Sequence, residues 1–308
     1  MSYIGIDVGG TNIRYAFTEE FDLNALNCQK RPFVKTGDPY SEIEENICEI
    51  IDKAPNNVKG ISISLAAIMD RNTGIVKKWP NNPCWNHYEI VKHLSNKYNV
   101  PIVIEDDANC GAIGEHFYLP IAVKNMVYIT IGTGIGCGIV LNDALFIGEN
   151  GFAGELGHVW IGEKNNKCMC SCGNKGCFQS MASGPTVLKK YNMASRTNLK
   201  SLEQVYELYT RSDSNAVKCL SDMINSISIV IYNLVMCLDI STFIIGGGAS
   251  NMGTEFVSNI ENHVNSQLKT FERDVSIKRA WLGEYSGVYG ALLLLNNKSY
   301  REKGLRSL

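Results

Sequence analysis

The chain has no excess of charge of either sign: 29 Lys and Arg stand against 31 Asp and Glu, a formal net charge of -2. Without a whole-chain basic field, nucleic acid and an anionic membrane surface are excluded as principal partners. Long apolar runs are also missing. The longest, Ile227 to Ile240, is interrupted by Ser228, Tyr232, Asn233 and Asp239 and is too short to cross a bilayer. The N-terminus carries neither a basic n-region nor an apolar h-region, so the expectation is a cytoplasmic protein with no membrane partner. No low-complexity linker interrupts the sequence, which makes any domain boundary a packed hinge, placed near residue 119.

What is present describes a globular chain. Its 308 residues are near twice the usual domain length, so two domains fit better than one. Apolar residues at 45% and charged residues at 19% exclude a disordered or collagen-like protein. Eleven cysteines are an odd number, and Cys168, Cys170, Cys172 and Cys177 crowd together at a spacing that suits a metal better than disulfides.

Apolar strands alternate with helical patterns, the mark of α/β layers. Tyr3 to Val8 and Ile13 to Phe17 read as a hairpin around Gly9-Gly10-Thr11-Asn12. The strands Asn125 to Gly132 and Gly136 to Leu141 repeat that unit around Gly132-Thr133-Gly134-Ile135-Gly136, a coarse internal duplication. A third glycine turn, Gly246-Gly247-Gly248, follows the strand Thr242 to Ile245. Helices are read at Tyr40 to Lys53, Glu89 to Tyr98, Ala108 to His116, Asn215 to Leu238, Thr254 to Leu268 and Gly287 to Leu295, among others.

Each glycine turn lets backbone N–H groups approach an anion such as phosphate. None ends in the Lys-Ser/Thr of a P-loop, and none has dinucleotide-binding spacing followed by a helix, so another phosphate fold is required. Asp7 before the first turn and Thr11 after it place a carboxylate for a magnesium shell and a hydroxyl for phosphate, and Thr133 is the equivalent hydroxyl in the second. Asp106 and Asp107 stand where a strand gives way to a helix. One could be an N-cap, and one could accept a proton from a substrate hydroxyl. His158, Cys170, Cys172 and Cys177 offer one imidazole and three thiolates, a closed tetrahedral set for structural zinc, with Cys168 as a substitute ligand.

Taken together these segments resemble the ROK family of sugar kinases and repressors, within the actin-like ATPase superfamily, over nearly the whole chain. Ile6 to Asn12 is similar to its first phosphate motif, Gly132 to Gly136 to the second, and Ile245 to Gly248 to the adenosine-side motif. Asp106-Asp107-Ala108-Asn109 resembles its Asn-Asp-Ala-Asn segment, and Gly154 to His158 with Cys170 to Cys177 resembles its zinc signature.

The resemblance implies two ribonuclease-H-like domains with a cleft between them and a zinc-binding loop. It places residues 1–118 in the first domain, 286–300 returning to it, and 119–285 in the second. It implies ATP and a hexose as partners, Mg2+ with ATP and structural Zn2+ as cofactors, and transfer of the γ-phosphoryl group to the 6-hydroxyl. Asp107 is then the catalytic base. Asp7, Gly9, Gly10, Thr11, Asn12, Gly132, Thr133, Gly134, Gly247 and Gly248 face ATP. Asn81, Asp106, Asp107, Glu155, His158 and Gln179 face the sugar. Members often form dimers, an expectation that the resemblance alone carries.

Three departures bear on the sugar, one of them Ala66-Ala67 in place of a usual Pro-Gly. Gln179 replaces a usual Glu and Asp106 a usual Asn. The stretches Gly-Glu-Leu-Gly-His and Gly-Gly-Gly-Ala-Ser-Asn-Met look closest to allose kinases, with glucose, mannose, fructose and N-acylhexosamines as alternatives. The competing class is a sugar-responsive repressor or inactive binder. Repressors carry a helix-turn-helix before the first phosphate motif, which here begins at Tyr3, so the expectation is a kinase.

Overall fold

A computed structural model describes residues 2–19, 23, 26–38, 41–55, 57–79, 83–162 and 169–296. The chain forms two compact units, one of Met1–Pro120, Val140–Ala153 and Glu284–Leu308, the other of Ile121–Ile139 and Gly154–Gly283.

In the first unit, β1 (Ser2–Val8) and β2 (Asn12–Glu19) form the expected antiparallel hairpin, pairing Val8 with Ile13 and Ile6 with Tyr15. The strand β3 (Gln29–Pro32) lines the edge beside β2. Its polar residues carry no two-residue alternation, so it could not be read from sequence. After α1 (Glu42–Ile51) and β4 (Val58–Leu65) comes a small hairpin of β5 (Ile68–Asp70) and β6 (Ile75–Lys78). It is followed by α2 (Ile90–Tyr98), β7 (Ile102–Glu105) and α3 (Asp107–Tyr118). The sheet order is β3-β2-β1-β4-β7, with β1, β4 and β7 parallel.

One face of this sheet buries Ile4, Ile6, Ile61 and Ile63 against Ile43, Ile47 and Ile50 of α1 and Ile90 and Leu94 of α2. The other is covered by α3 and by α9 (Ser286–Asn296), which returns from the far end of the chain. Val288, Ala291 and Leu292 of α9 pack with Cys110 and Ile113 of α3. The buried Glu115 accepts a hydrogen bond from Ser286 Oγ at 2.6 Å, which pins the start of α9. Gly290 lies so close to α3 that a Cβ would stand 1.7 Å from the Cys110 carbonyl oxygen. Gly290→Ala is therefore expected to destabilise the protein by about 3 kcal/mol, because the helices must part. That exceeds the roughly 1 kcal/mol of helix propensity gained. A urea midpoint unchanged from wild type would contradict this.

A second sheet is built in the same order, β10-β9-β8-β11-β12, from β8 (Met126–Ile131), β9 (Ile135–Leu141), β10 (Ala144–Leu145), β11 (Thr242–Gly246) and β12 (Ser276–Arg279). The duplication seen in the glycine turns thus extends to strand order. The second unit takes β8, β11, β12 and most of β9, and it also holds α4 (Gln179–Ala182), α5 (Gly184–Ser195), α6 (Leu202–Thr210), α7 (Ser214–Leu238) and α8 (Thr254–Leu268). The apolar run at Ile227 to Ile240 falls, up to Leu238, in α7, a 25-residue helix long and apolar enough to cross a membrane. Half of its most apolar window is buried, and it packs against α4, α5, α6 and α8, which accounts for its apolar character.

Candidate functional site

In the first unit the β1–β2 turn is closed by Gly9 N–H donating to the Asn12 carbonyl at 3.0 Å. A Cβ on Gly10 would meet no atom within 4 Å, and Thr11 is exposed beside it, so this glycine serves no packing and leaves the backbone approachable. Asp7, the last residue but one of β1, has Oδ1 accepting from Ser64 Oγ at 2.6 Å and Oδ2 at 3.7 Å from Arg14 Nη1. Burial raises the Asp7 carboxyl above its ordinary range, and Ser64 and Arg14 pull against it. The start of α9 lies against the same carboxylate: a Cβ on Gly287 would stand 2.8 Å from Asp7 Oδ1. Arg14 is itself held by Glu284, which accepts from its Nε at 3.1 Å and Nη2 at 3.0 Å and from Lys30 Nζ at 2.7 Å. Oδ1 of Asp7 accepts from Ser64 while Oδ2 has, among the described residues, only the longer ion pair to Arg14, so the carboxylate keeps an oxygen that fits magnesium's water shell, which that ion gives up reluctantly.

The β7-to-α3 junction resolves the roles of the adjacent acids. Asp106 is the N-cap, its Oδ1 accepting from Ala108 N–H at 3.0 Å and Asn109 N–H at 3.3 Å. Asp107 is the first helical residue, where the helix dipole favours negative charge. The capping role falls to Asp106, the residue that the resemblance assigns to the sugar.

Beneath them lies a group that the sequence did not reveal. Glu105, 7% exposed, accepts from Arg71 Nε at 2.7 Å and Nη2 at 2.5 Å, from Asp106 N–H at 2.9 Å and from Asn109 Nδ2 at 3.0 Å. The only sequence signal was a charged residue closing a buried strand. Arg71→Met would leave this carboxylate buried without its cation. We expect a loss of about 3–5 kcal/mol of stability, measured by denaturant unfolding. A loss below about 1 kcal/mol would show that Glu105 does not depend on Arg71.

In the second unit the β8–β9 turn is closed by Gly132 N–H donating to the Gly134 carbonyl at 2.9 Å. A Cβ on Gly132 would again meet nothing within 4 Å, and Thr133 is exposed. Gly247 adopts φ +73° and comes close to β8, where a Cβ would stand 2.7 Å from Ile131 N, so only glycine suits it. Gly248 beside it has open space.

The four expected metal ligands converge: one donor atom each from His158, Cys170, Cys172 and Cys177, all within 4.8 Å of one another. Cys172 and Cys177 Sγ lie 3.7 Å apart, and Cys170 Sγ lies 3.5 Å from His158 Nδ1. Tetrahedral zinc with Zn–S of about 2.3 Å and Zn–N of about 2.0–2.1 Å requires edges of about 3.8 Å and about 3.5 Å, so the donor set fits that ion. Burial resists ionisation of Cys170, yet bonds from the Cys172 backbone, Gln179, the Cys172 thiol and His158 outweigh it and lower the thiol to about 6. Cys177 is pushed up to about 12 by burial and by its cysteine neighbours.

The other imidazole nitrogen, His158 Nε2, lies 3.9 Å from Glu155 Oε2, so this ring links the cluster to the carboxylate. Burial raises the Glu155 carboxyl, opposed by His158. Gln179 Nε2 donates to Cys170 Sγ at 3.2 Å and to Ser171 Oγ at 3.0 Å. Asn81 and Cys168 lie outside the described residues.

Two sheets of one strand order, each with a glycine turn between its first two long strands, define a two-domain α/β protein of the actin-like ATPase fold. The model of the ROK family matches residues 3–298, and the chain belongs to that family. Its relatives include a glucokinase of Halalkalibacterium halodurans, 28% identical over 98% of this chain and 97% of that one. An N-acetyl-D-glucosamine kinase of Photobacterium profundum is 30% identical over 95% of this chain and 98% of its own. A xylose repressor of Caldicellulosiruptor bescii is 27% identical over 86% and 70%. The crystal structure of a ROK family glucokinase from Streptomyces griseus in complex with glucose and AMPPNP superimposes with a TM-score of 0.79 at 25% identity. It covers 96% of this chain and 99% of that one.

Proposed function

We propose that the chain is an ATP-dependent sugar kinase that transfers the γ-phosphoryl group of ATP to the primary 6-hydroxyl of a hexose. The observation that carries this is Asp107, set at the carboxyl end of β7 on a segment held by Glu105 and capped by Asp106. A carboxylate at the carboxyl end of a strand, on so fixed a support, is suited to proton transfer.

The residues then divide the work. Asp107 orients the 6-hydroxyl and takes its proton as the oxygen attacks phosphorus in line and the bond to the bridging oxygen of ADP breaks. Backbone N–H groups of the Gly9–Asn12 and Gly132–Gly134 turns, with Thr11 and Thr133, hold the phosphates and take up developing charge. Gly247 and Gly248 flank the adenosine. Magnesium, when bound with ATP, neutralises phosphate charge, and Asp7 is the residue that would hold its water shell. Asn81, Asp106, Glu155, His158 and Gln179 read the ring hydroxyls. Zinc on His158, Cys170, Cys172 and Cys177 serves as a structural ion, since four protein ligands leave no open position for chemistry. A cytoplasmic location, where ATP is at hand, suits this activity.

Among hexoses, allose is the sugar to which the two quoted stretches point, while glucose and N-acetylglucosamine are supported by the names of the relatives. An ADP-release assay with magnesium-ATP across these sugars, mannose, fructose and N-acetylmannosamine tests the proposal. Turnover on at least one is expected. The xylose repressor among the relatives favours a second reading, a sugar-responsive regulator. Retained sugar binding with no ADP release across the panel would select it.

A further inference from the structure

The amide of Gln179 faces two ways. Its Nε2 donates to the metal-cluster thiol of Cys170 and to Ser171 Oγ. Its Oε1 lies beside the second phosphate turn: a Cβ on Gly134 would stand 3.3 Å from it, and one on Gly157 3.1 Å. A carboxylate could not make the first of these bonds, because it has no N–H and would set a negative charge against a thiolate.

The turn is braced by the same segment at two more points. Gly184 N–H, at the start of α5, donates to the Gly132 carbonyl at 3.0 Å. Gly157, next to the ligand His158, packs so tightly that a Cβ would stand 2.3 Å from the Ile135 carbonyl oxygen. The stretch that carries the metal ligands therefore supports the Gly132–Gly136 turn from both of its ends.

We propose that Gln179 is a positioning residue that couples the metal cluster to the Gly132–Gly136 turn, so that metal occupancy strengthens binding of the nucleoside triphosphate. The inference rests on the zinc and kinase readings above. Partners of a metal ligand fix that ligand's orientation, and losing one costs about 10–100-fold in metal affinity. Coupling between two binding sites is reciprocal, so a bound triphosphate must raise the affinity for metal by the same factor.

The test compares wild type, Gln179→Glu and Gln179→Ala, each loaded with zinc and checked for fold by circular dichroism. Zinc affinity is measured by competition with a chromogenic chelator, with and without a non-hydrolysable ATP analogue, and the analogue's Kd by calorimetry with and without zinc. In both variants zinc affinity is expected to fall about 10–100-fold, because neither side chain keeps the N–H that donates to Cys170. The analogue is expected to raise zinc affinity at least about fivefold in wild type and to lose that effect in the variants. Should Gln179→Glu fail to fold, Gln179→Ala carries the comparison.

Unchanged zinc affinity in the variants would overturn the proposal. So would weakened zinc binding with the analogue's effect intact. A wild-type protein that takes up no zinc would overturn the zinc reading itself, and one that holds zinc but binds no analogue would overturn the kinase reading.

Discussion

Replacing Asp107 by Asn is expected to lower kcat about a thousandfold, the middle of the range for removing a positioned general base. In free-energy terms this is a loss of about 4 kcal/mol of transition-state stabilisation. The substitution keeps the size of the side chain and its place at the first position of α3, so the fold and the Glu105–Arg71 support should survive. Asn still presents an oxygen to orient the sugar hydroxyl but cannot take its proton at neutral pH. The loss should therefore appear in kcat, with KM for the sugar changing far less. Near-normal turnover would remove Asp107 from the role of base. A matching substitution, Asp106→Asn, separates the neighbours: Asn also caps helices well, so its effect on stability should be small, within about 0.5 kcal/mol.

Removing the metal cluster is expected to have the second large effect. Cys172→Ala takes away one of four donors that lie within 4.8 Å of one another. We expect bound zinc to fall from about one per chain to well below that, because three remaining ligands no longer close the site. A structural zinc contributes to folding directly, since its ligands converge only in the folded state. The cluster anchors Cys177 and the fully buried Phe178 that follows it, so the cost reaches the interior of the second unit.

A loss of about 3 kcal/mol belongs to the range for removing a bound metal. At about 2–4 °C per kcal/mol for a domain of this size, Tm should drop by about 10 °C. Chelation of the wild-type protein should reproduce the drop, and zinc should restore it in wild type and not in the variant. Metal-free wild type with an unchanged Tm would end the structural role.

Parts of this molecule were legible because they are local. The glycine turns, the hairpins around them and the helix Thr254–Leu268 are fixed by short-range patterns of burial, turn chemistry and period. The four metal ligands were found because three lie within eight residues and few other arrangements explain such crowding. The edge strands β3 and β12 escaped, because Gln29–Pro32 and Ser276–Arg279 are polar segments that become strands only by pairing with a neighbour already in place.

The sequence by itself determined the glycine turns, the acidic strand end and the donor set for a metal, since each is a cluster of chemistry within a few residues. Tertiary structure alone decided what surrounds them. It made Asp106 the cap, a choice set by backbone angles that identical side chains cannot reveal. It brought Arg71 to Glu105 and Ser286 to Glu115, contacts between residues distant in sequence that stabilise buried carboxylates. It also turned the amide of Gln179 toward Cys170, which required the chain to fold back on itself before a donor could find its thiol. Pairings of that kind depend on burial and approach in three dimensions, and no spacing along the chain encodes them.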